Sequence, residues 1–194
     1  MCRAGPDCWI GHVSRTVPAD AVESARVLAD SRSSRWLVAG VRVVVALLWV
    51  QNVYWKVPPD FGEHRHADLY RFTRDAVDHP VFAPYAFVVR HVVLPNFTFF
   101  GWLTLAVETS LGAFLLIGLA TRLWALVGVG QSLVIALSVL QTPGEWHWSY
   151  YLMIAVHLLL FGVAAGRAGG LDGVLRPVWQ ASDGRLARLL LRIS

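Results

Sequence analysis

Charge is the scarcest thing in this chain. Only 15% of its 194 residues are Asp, Glu, Lys or Arg, against about 25% in an ordinary soluble domain. Lysine is nearly absent, with Lys56 alone among 17 basic residues. Cysteine is confined to Cys2 and Cys8. A membrane thiol oxidase that passes electrons from a dithiol to a quinone needs a C-x-x-C pair near the membrane face, and none exists here. The first 34 residues lack an apolar stretch ahead of their arginines, so they do not read as a cleavable signal. No flavin, nicotinamide or P-loop fingerprint occurs, and no aromatic-basic stripe points to nucleic acid.

Apolar residues make up 56% of the chain, and they gather in four blocks with the charges between them. The expected fold is all-α: an integral membrane four-helix bundle. Spans are expected over about 36–56, 99–120, 123–140 and 148–166, each near the roughly 20 residues that cross the hydrocarbon. The first ends in Tyr54, Trp55 and Lys56, an interface signature, and Pro58–Pro59 stop it. Residues 57–98 then form one large outer loop. Within it ADLYRFTRDAVD has near-helical apolar spacing and predicts a short surface helix. VFAPYAFVVRHVVLP, broken by Pro84 and Arg90–His91, reads as a re-entrant or surface-lying lead into span two. Thr121–Arg122 is expected as a two-residue turn making spans two and three a hairpin. The tail GRLARLLLRI is amphipathic and suits a surface of anionic lipid. The organisation expected is a polar N-terminal tail (1–34), a membrane domain (35–175) and an amphipathic tail (176–194). A short surface helix around Pro18–Leu28 is a further expectation.

Five Lys or Arg precede span one, five follow span four, and the connection 141–147 has none. That bias places both termini in the cytoplasm, although the outer side holds five of its own, Lys56, Arg65, Arg71, Arg74 and Arg90.

Ionisable and amide groups within spans are costly and each needs a partner or a purpose. Arg42, Gln51, Asn52, Glu108, Gln131 and His157 are the set. At 1.5 Å per residue, Glu108, Gln131 and His157 all lie about 14 Å from the outer end of their spans. Arg42 lies about 9 Å from the other end. The economical arrangement is one inward cluster, with Arg42 pairing with Glu108, and Gln131 and His157 completing the hydrogen bonds. Two readings stand. The cluster is interhelical glue, or it is a site where Glu108 and His157 exchange protons with a quinone held by Arg42, Glu108, Gln131 and His157. Haem ligation by His157 lacks a second axial ligand. His64, His66 and Asp68 in the large loop are metal candidates, with Glu145 and His147 on the same side, but their spacing matches no closed site. Asp172, in GGLDG, reads as a turn or cap residue.

Arg42 followed by Lys56 in one span, then Glu108-x3-Gly112 leading into LLIGLATR, then GRAGGLDGVL after the fourth span, resemble the DoxX/DoxD-like membrane proteins. DoxD is the small subunit of thiosulfate:quinone oxidoreductase. The resemblance runs from about 38 to 175. It implies a four-helix membrane bundle in a bacterial plasma membrane and quinone-linked, possibly sulfur-oxidising, redox chemistry beside other protein subunits. It also implies that Arg42, Lys56 and Glu108 are recurring charged positions, while Asn52 departs from a usual Gly. The expected function is a subunit that binds a quinone or lipid-like partner in the bundle. The alternative is a non-catalytic accessory, anchor or assembly subunit. A transporter would need inverted repeats, and none is clear.

Overall fold

A computed structural model describes residues 31–194. The expected helix near Pro18–Leu28 and the cysteines lie outside those residues. Among the described residues the elements are helical and no strand occurs. Helix α1 spans Arg32–Tyr54 and starts on Ser31, whose hydroxyl accepts from the Ser34 N–H at 3.1 Å, satisfying a donor that the first turn leaves orphaned. Helix α2 spans Asp68–Asp78. Helix α3 (Ala83–Val88) passes through a π turn (Val89–Val93) and a 3-10 turn (Leu94–Asn96) into α4, Phe97–Ile117. Helices α5 (Thr121–Val139) and α6 (His147–Gly162) follow, then α7 (Leu171–Gln180) and α8 (Arg185–Ile193).

Three helical stretches are long and apolar enough to cross a membrane: Arg32–Tyr54, Ala83–Ile117 and Thr121–Val139. The fourth apolar helix, α6, has 16 residues and so a length of about 24 Å. Leu47, Leu48, Leu103, Leu126, Leu133 and Leu158 point outward, about half exposed. Leucines on the outside of an apolar bundle are what a lipid solvent selects. The chain is a multi-pass membrane protein.

Helix α1 packs along α4, and α5 along α6. The shared core holds Val45, Ala46, Trp49, Leu111, Leu115, Ala125 and Leu160. Small residues set the closeness of approach. A methyl group at Gly112 would stand 2.9 Å from Val50, and one at Gly128 would enter the His157 ring. The Gly112 contact fixes the register of the antiparallel α1–α4 pair: residues 46–50 lie level with 112, so Asn52 lies about level with Glu108, and Lys56, one turn beyond, reaches back to it.

Three expectations need correction. The reversal between α4 and α5 is Gly118–Ala120, and Thr121 and Arg122 are already the first turn of α5. Gly118, at φ 68°, ends α4 as glycine commonly does at this position. Ala120 also has a positive φ, and its N–H is held by Asp172 Oδ1 at 2.7 Å. Second, 83–96 is neither re-entrant nor separate from span two. It continues helically into α4 as one run of 35 residues, about 52 Å long. Pro95 removes one backbone donor, but Asn96 Nδ2 donates to Val92 O at 2.9 Å and the π turn absorbs the break. Third, the fourth apolar helix stops at Gly162, short of the expected Gly166, where Ala164 turns left-handed and a 3-10 turn (Ala165–Arg167) begins.

Residues between α1 and α2 fold back onto the bundle. Phe61 is fully buried, its ring over Gly101 and edge-on to Trp102 at 5.6 Å. The expected surface helix forms as α2, with Ala76 buried and α5 its main support.

A candidate ligand cavity closed by a lysine–glutamate pair

At the loop end of the bundle, α1, α2, α4, α5 and α6 line a half-open cavity of about 560 Å³, within the range that small-molecule sites occupy. Its wall is mainly aromatic and aliphatic, with Phe72, Phe97, Phe100, Val107 and Ile135 among the lining residues. Helix α2 contributes Leu69, Phe72 and Thr73 to it.

The polar part of that wall is ordered by one ion pair. Lys56 Nζ lies 2.6 Å from Glu108 Oε2, and both side chains are buried. Lys56 also donates to Asn52 O at 2.7 Å and lies 4.1 Å from the centre of the Trp55 ring. Gln131 Nε2 donates to Glu108 Oε1 at 3.1 Å. Each oxygen of the carboxylate thus has one partner. Gln131 keeps its second N–H and its carbonyl oxygen free of any hydrogen bond among the described residues. A second polar group lines the same cavity: the Tyr150 hydroxyl donates to Glu145 Oε2. A third is the Tyr85 hydroxyl, bonded to Ser138 Oγ at 2.8 Å.

The expected single cluster separates into three places. Glu108 and Gln131 meet, as the depth argument required, but their cation is Lys56. Arg42 is buried two turns of α4 away. Its Nη1 donates to the carbonyls of Leu115 and Leu116, and Nη2 to Gly169 O at 3.1 Å. These acceptors are the unsatisfied carbonyls at the end of α4, where a cation also suits the helix dipole. His157 is buried but does not reach Glu108 or Gln131. Trp49 Nε1 donates to its Nε2 at 2.9 Å, and its Nδ1 lies 2.6 Å from Met153 O. Neither Arg42 nor His157 lines the cavity.

Asp172 caps a helix other than its own. It accepts from the Ala120 and Thr121 N–H groups at 2.7 and 2.9 Å, and its own N–H donates to Gly118 O. Gly166 and Gly170 let this strap lie directly against the α4–α5 turn.

The metal candidates are not brought together. His64 pairs with Asp60, Asp68 with Arg65, and His66 packs edge-on against Tyr70. Among the described residues no three His, Cys, Asp or Glu side chains are placed to hold a metal ion. Sequence reasoning missed Tyr150 and Glu145 as wall residues. Their five-residue separation across the start of α6 was the available signal.

The family model described as TQO small subunit DoxD matches residues 82–191, more than half of the chain. The chain belongs to the DoxD family. Glu108, Gln131, Glu145, Tyr150 and Asp172 all fall inside the stretch shared with DoxD, while Arg42 and Lys56 precede it. No curated protein and no solved structure matches the chain.

Proposed function

We propose that this chain is the membrane subunit of a quinone-linked oxidoreductase and that the loop-end cavity receives the quinone head group. The observation that carries the reading is the Lys56–Glu108 pair set in the wall of an otherwise apolar cavity, with Gln131 beside it. An ion pair withdrawn from water costs several kcal/mol per charge before its attraction is counted, so its place beside a ligand-sized space favours use over glue. DoxD membership supports the same reading through its printed description as a TQO small subunit.

The residues fit such a group. Phe72, Phe97 and Phe100 offer faces to a flat ring, and the free N–H of Gln131 suits a carbonyl oxygen. A quinone, when bound, supplies an acceptor for two electrons and two protons. The Glu108–Lys56 pair holds a proton at the wall that can pass to a reduced ring oxygen and be regained from water, and Lys56 fixes the direction of the carboxylate. Gln131 orients the carboxylate and can bond a ligand oxygen at the same time. The Tyr150–Glu145 pair offers a second place where a ligand hydroxyl can be bonded. Electrons come from a partner subunit, which is where the sulfur chemistry of the complex belongs. Arg42 and His157 act at one remove, Arg42 by closing the end of α4 and His157 by fastening α6 to α1. In this reading α6 is the fourth span of a four-helix bundle in a bacterial plasma membrane, with the arginine-rich ends cytoplasmic.

The test is photolabelling of the purified protein with an azido-quinone, followed by peptide mapping. Adducts are expected on 97–108, 131–139 and 145–153, competed by unlabelled quinone and reduced at least tenfold, a loss of about 1.4 kcal/mol, by Gln131→Leu. Labelling spread over the lipid-facing leucines and indifferent to competitor would sink the proposal.

A further inference from the structure

Helices α7 and α8 form a hairpin at the other end of the bundle, joined through residues 181–184 and packed on each other, with α8 also touching α5. One face of each helix is spoken for. On α7 it carries the buried Asp172, and on α8 the buried Ala187 and Ser194. Arg167 and Arg176 turn inward and donate to Ser194 and to Leu191 O.

The opposite faces are apolar and bare. On α7, Leu171, Val174 and Val178 recur at helical spacing, and the two valines are 69% and 64% exposed. On α8, Leu186 and Leu189 are 68% and 54% exposed. At about 100° per residue, Leu186, Leu189 and Ile193 share an arc of roughly 60°. Arg185, Arg188 and Arg192 fill the adjoining arc. These three arginines are exposed and have no acidic partner among the described residues, and Asp183 is the hairpin's single exposed acid.

We propose that the α7–α8 hairpin lies on the membrane surface, its bare stripes sunk among the acyl chains and Arg185, Arg188 and Arg192 bonded to the phosphates of anionic phospholipid. Two observations select this occupant over a protein. The apolar stripe is flanked by unpaired cations, the pattern of a helix that lies in the interface plane. The hairpin is also continuous with a lipid-facing wall, because α8 rests on α5, whose Leu123 and Leu126 are exposed. Long arginine side chains beside buried leucines reach the head groups by extending outward.

The experiment uses the full chain with Cys2→Ser and Cys8→Ser and a fluorophore on a single cysteine at Val178, Leu189 or Gln180. The protein is reconstituted in phosphatidylcholine vesicles with and without phosphatidylglycerol. Labels at 178 and 189 should be quenched by a lipid-borne quencher near the head groups and shielded from an aqueous one, with the label at 180 the reverse. Phosphatidylglycerol should strengthen the lipid quenching. Replacing Arg185, Arg188 and Arg192 with Gln should remove that dependence, by up to about fivefold per arginine, without lowering folded yield, since none of the three side chains makes a hydrogen bond or ion pair among the described residues. Aqueous quenching of the 178 and 189 labels in phosphatidylglycerol vesicles would overturn the proposal. So would lipid quenching unchanged by the triple replacement, or shielding that follows cross-linking to a second copy instead of lipid composition.

Discussion

Glu108→Gln keeps the shape of the side chain and deletes its charge. Lys56 is then left buried against Asn52 O, the Trp55 ring and an amide. Breaking a buried pair by removing one partner typically costs about 3–5 kcal/mol. The lysine can escape by giving up its proton, which from an ordinary value near 10.4 costs about 4.6 kcal/mol at pH 7. The two limits agree, so the single replacement should cost about 3–5 kcal/mol. Lys56→Gln should cost a similar amount, because it strands Glu108 with only Gln131. Together, Lys56→Gln and Glu108→Gln place two amides in hydrogen-bond reach. The double variant should be more stable than either single, with a coupling of at least about 2 kcal/mol. Arg42→Gln with Glu108→Gln is the control: Arg42 binds carbonyls about 10 Å further along α4, and these two should add within about 0.5 kcal/mol. Thermal melts of detergent-solubilised protein, read by tryptophan fluorescence and by the monodisperse fraction, measure these four variants and Arg42→Gln alone. Additive costs for Lys56 and Glu108, or a coupling between Arg42 and Glu108, would refute the register of α1 on α4.

Asp172→Ala strips acceptors from two backbone N–H groups and frees the left-handed Ala120. A loss of about 3 kcal/mol is expected, with Asp172→Asn recovering part of it, and a melt within error of wild type would show that the cap is dispensable. Gly128→Ala drives a methyl group into the His157 ring, which two hydrogen bonds prevent from moving aside, and should cost about 1–3 kcal/mol. Gly130→Ala, one turn face away in open space, should be neutral or stabilising by up to about 1 kcal/mol; equal effects at the two positions would contradict the α5–α6 contact.

The apolar runs located α1, α4, α5 and α6 to within a few residues because length and hydropathy are local properties. Helix α2 was legible for the same reason, as was Asp172, since a carboxylate between glycines beside a helix start has few other uses. The partner of Glu108 was not legible. Depth counted from each span's own end assumes that all spans begin level, and α4 instead runs well past the end of α1. Gly112 against Ala46 and Val50 sets that offset, and a glycine in a sequence does not name the residue it will touch. Lys56 therefore read as an anchor at the water's edge, although it is buried in the cavity wall against Glu108. Pro84 and Arg90–His91 suggested a broken segment before α4, because the π turn that carries the helix through Val89–Val93 depends on packing that spacing alone does not reveal.

The bond from Trp49 to His157 has a consequence for how the bundle meets a change of acidity. An indole N–H can only donate, so His157 Nε2 must be the accepting nitrogen and the ring proton sits on Nδ1, directed at Met153 O. Both nitrogens are thereby committed, one as acceptor and one as donor. A second proton on Nε2 would set one N–H against another, and the ring cannot swing aside while Gly128 lies flush against it. The one histidine in the bundle's heart thus acts as a fixed dowel between α1 and α6. Under the proposed function, protons exchanged at the loop-end cavity would leave untouched the joint that holds the helices in line.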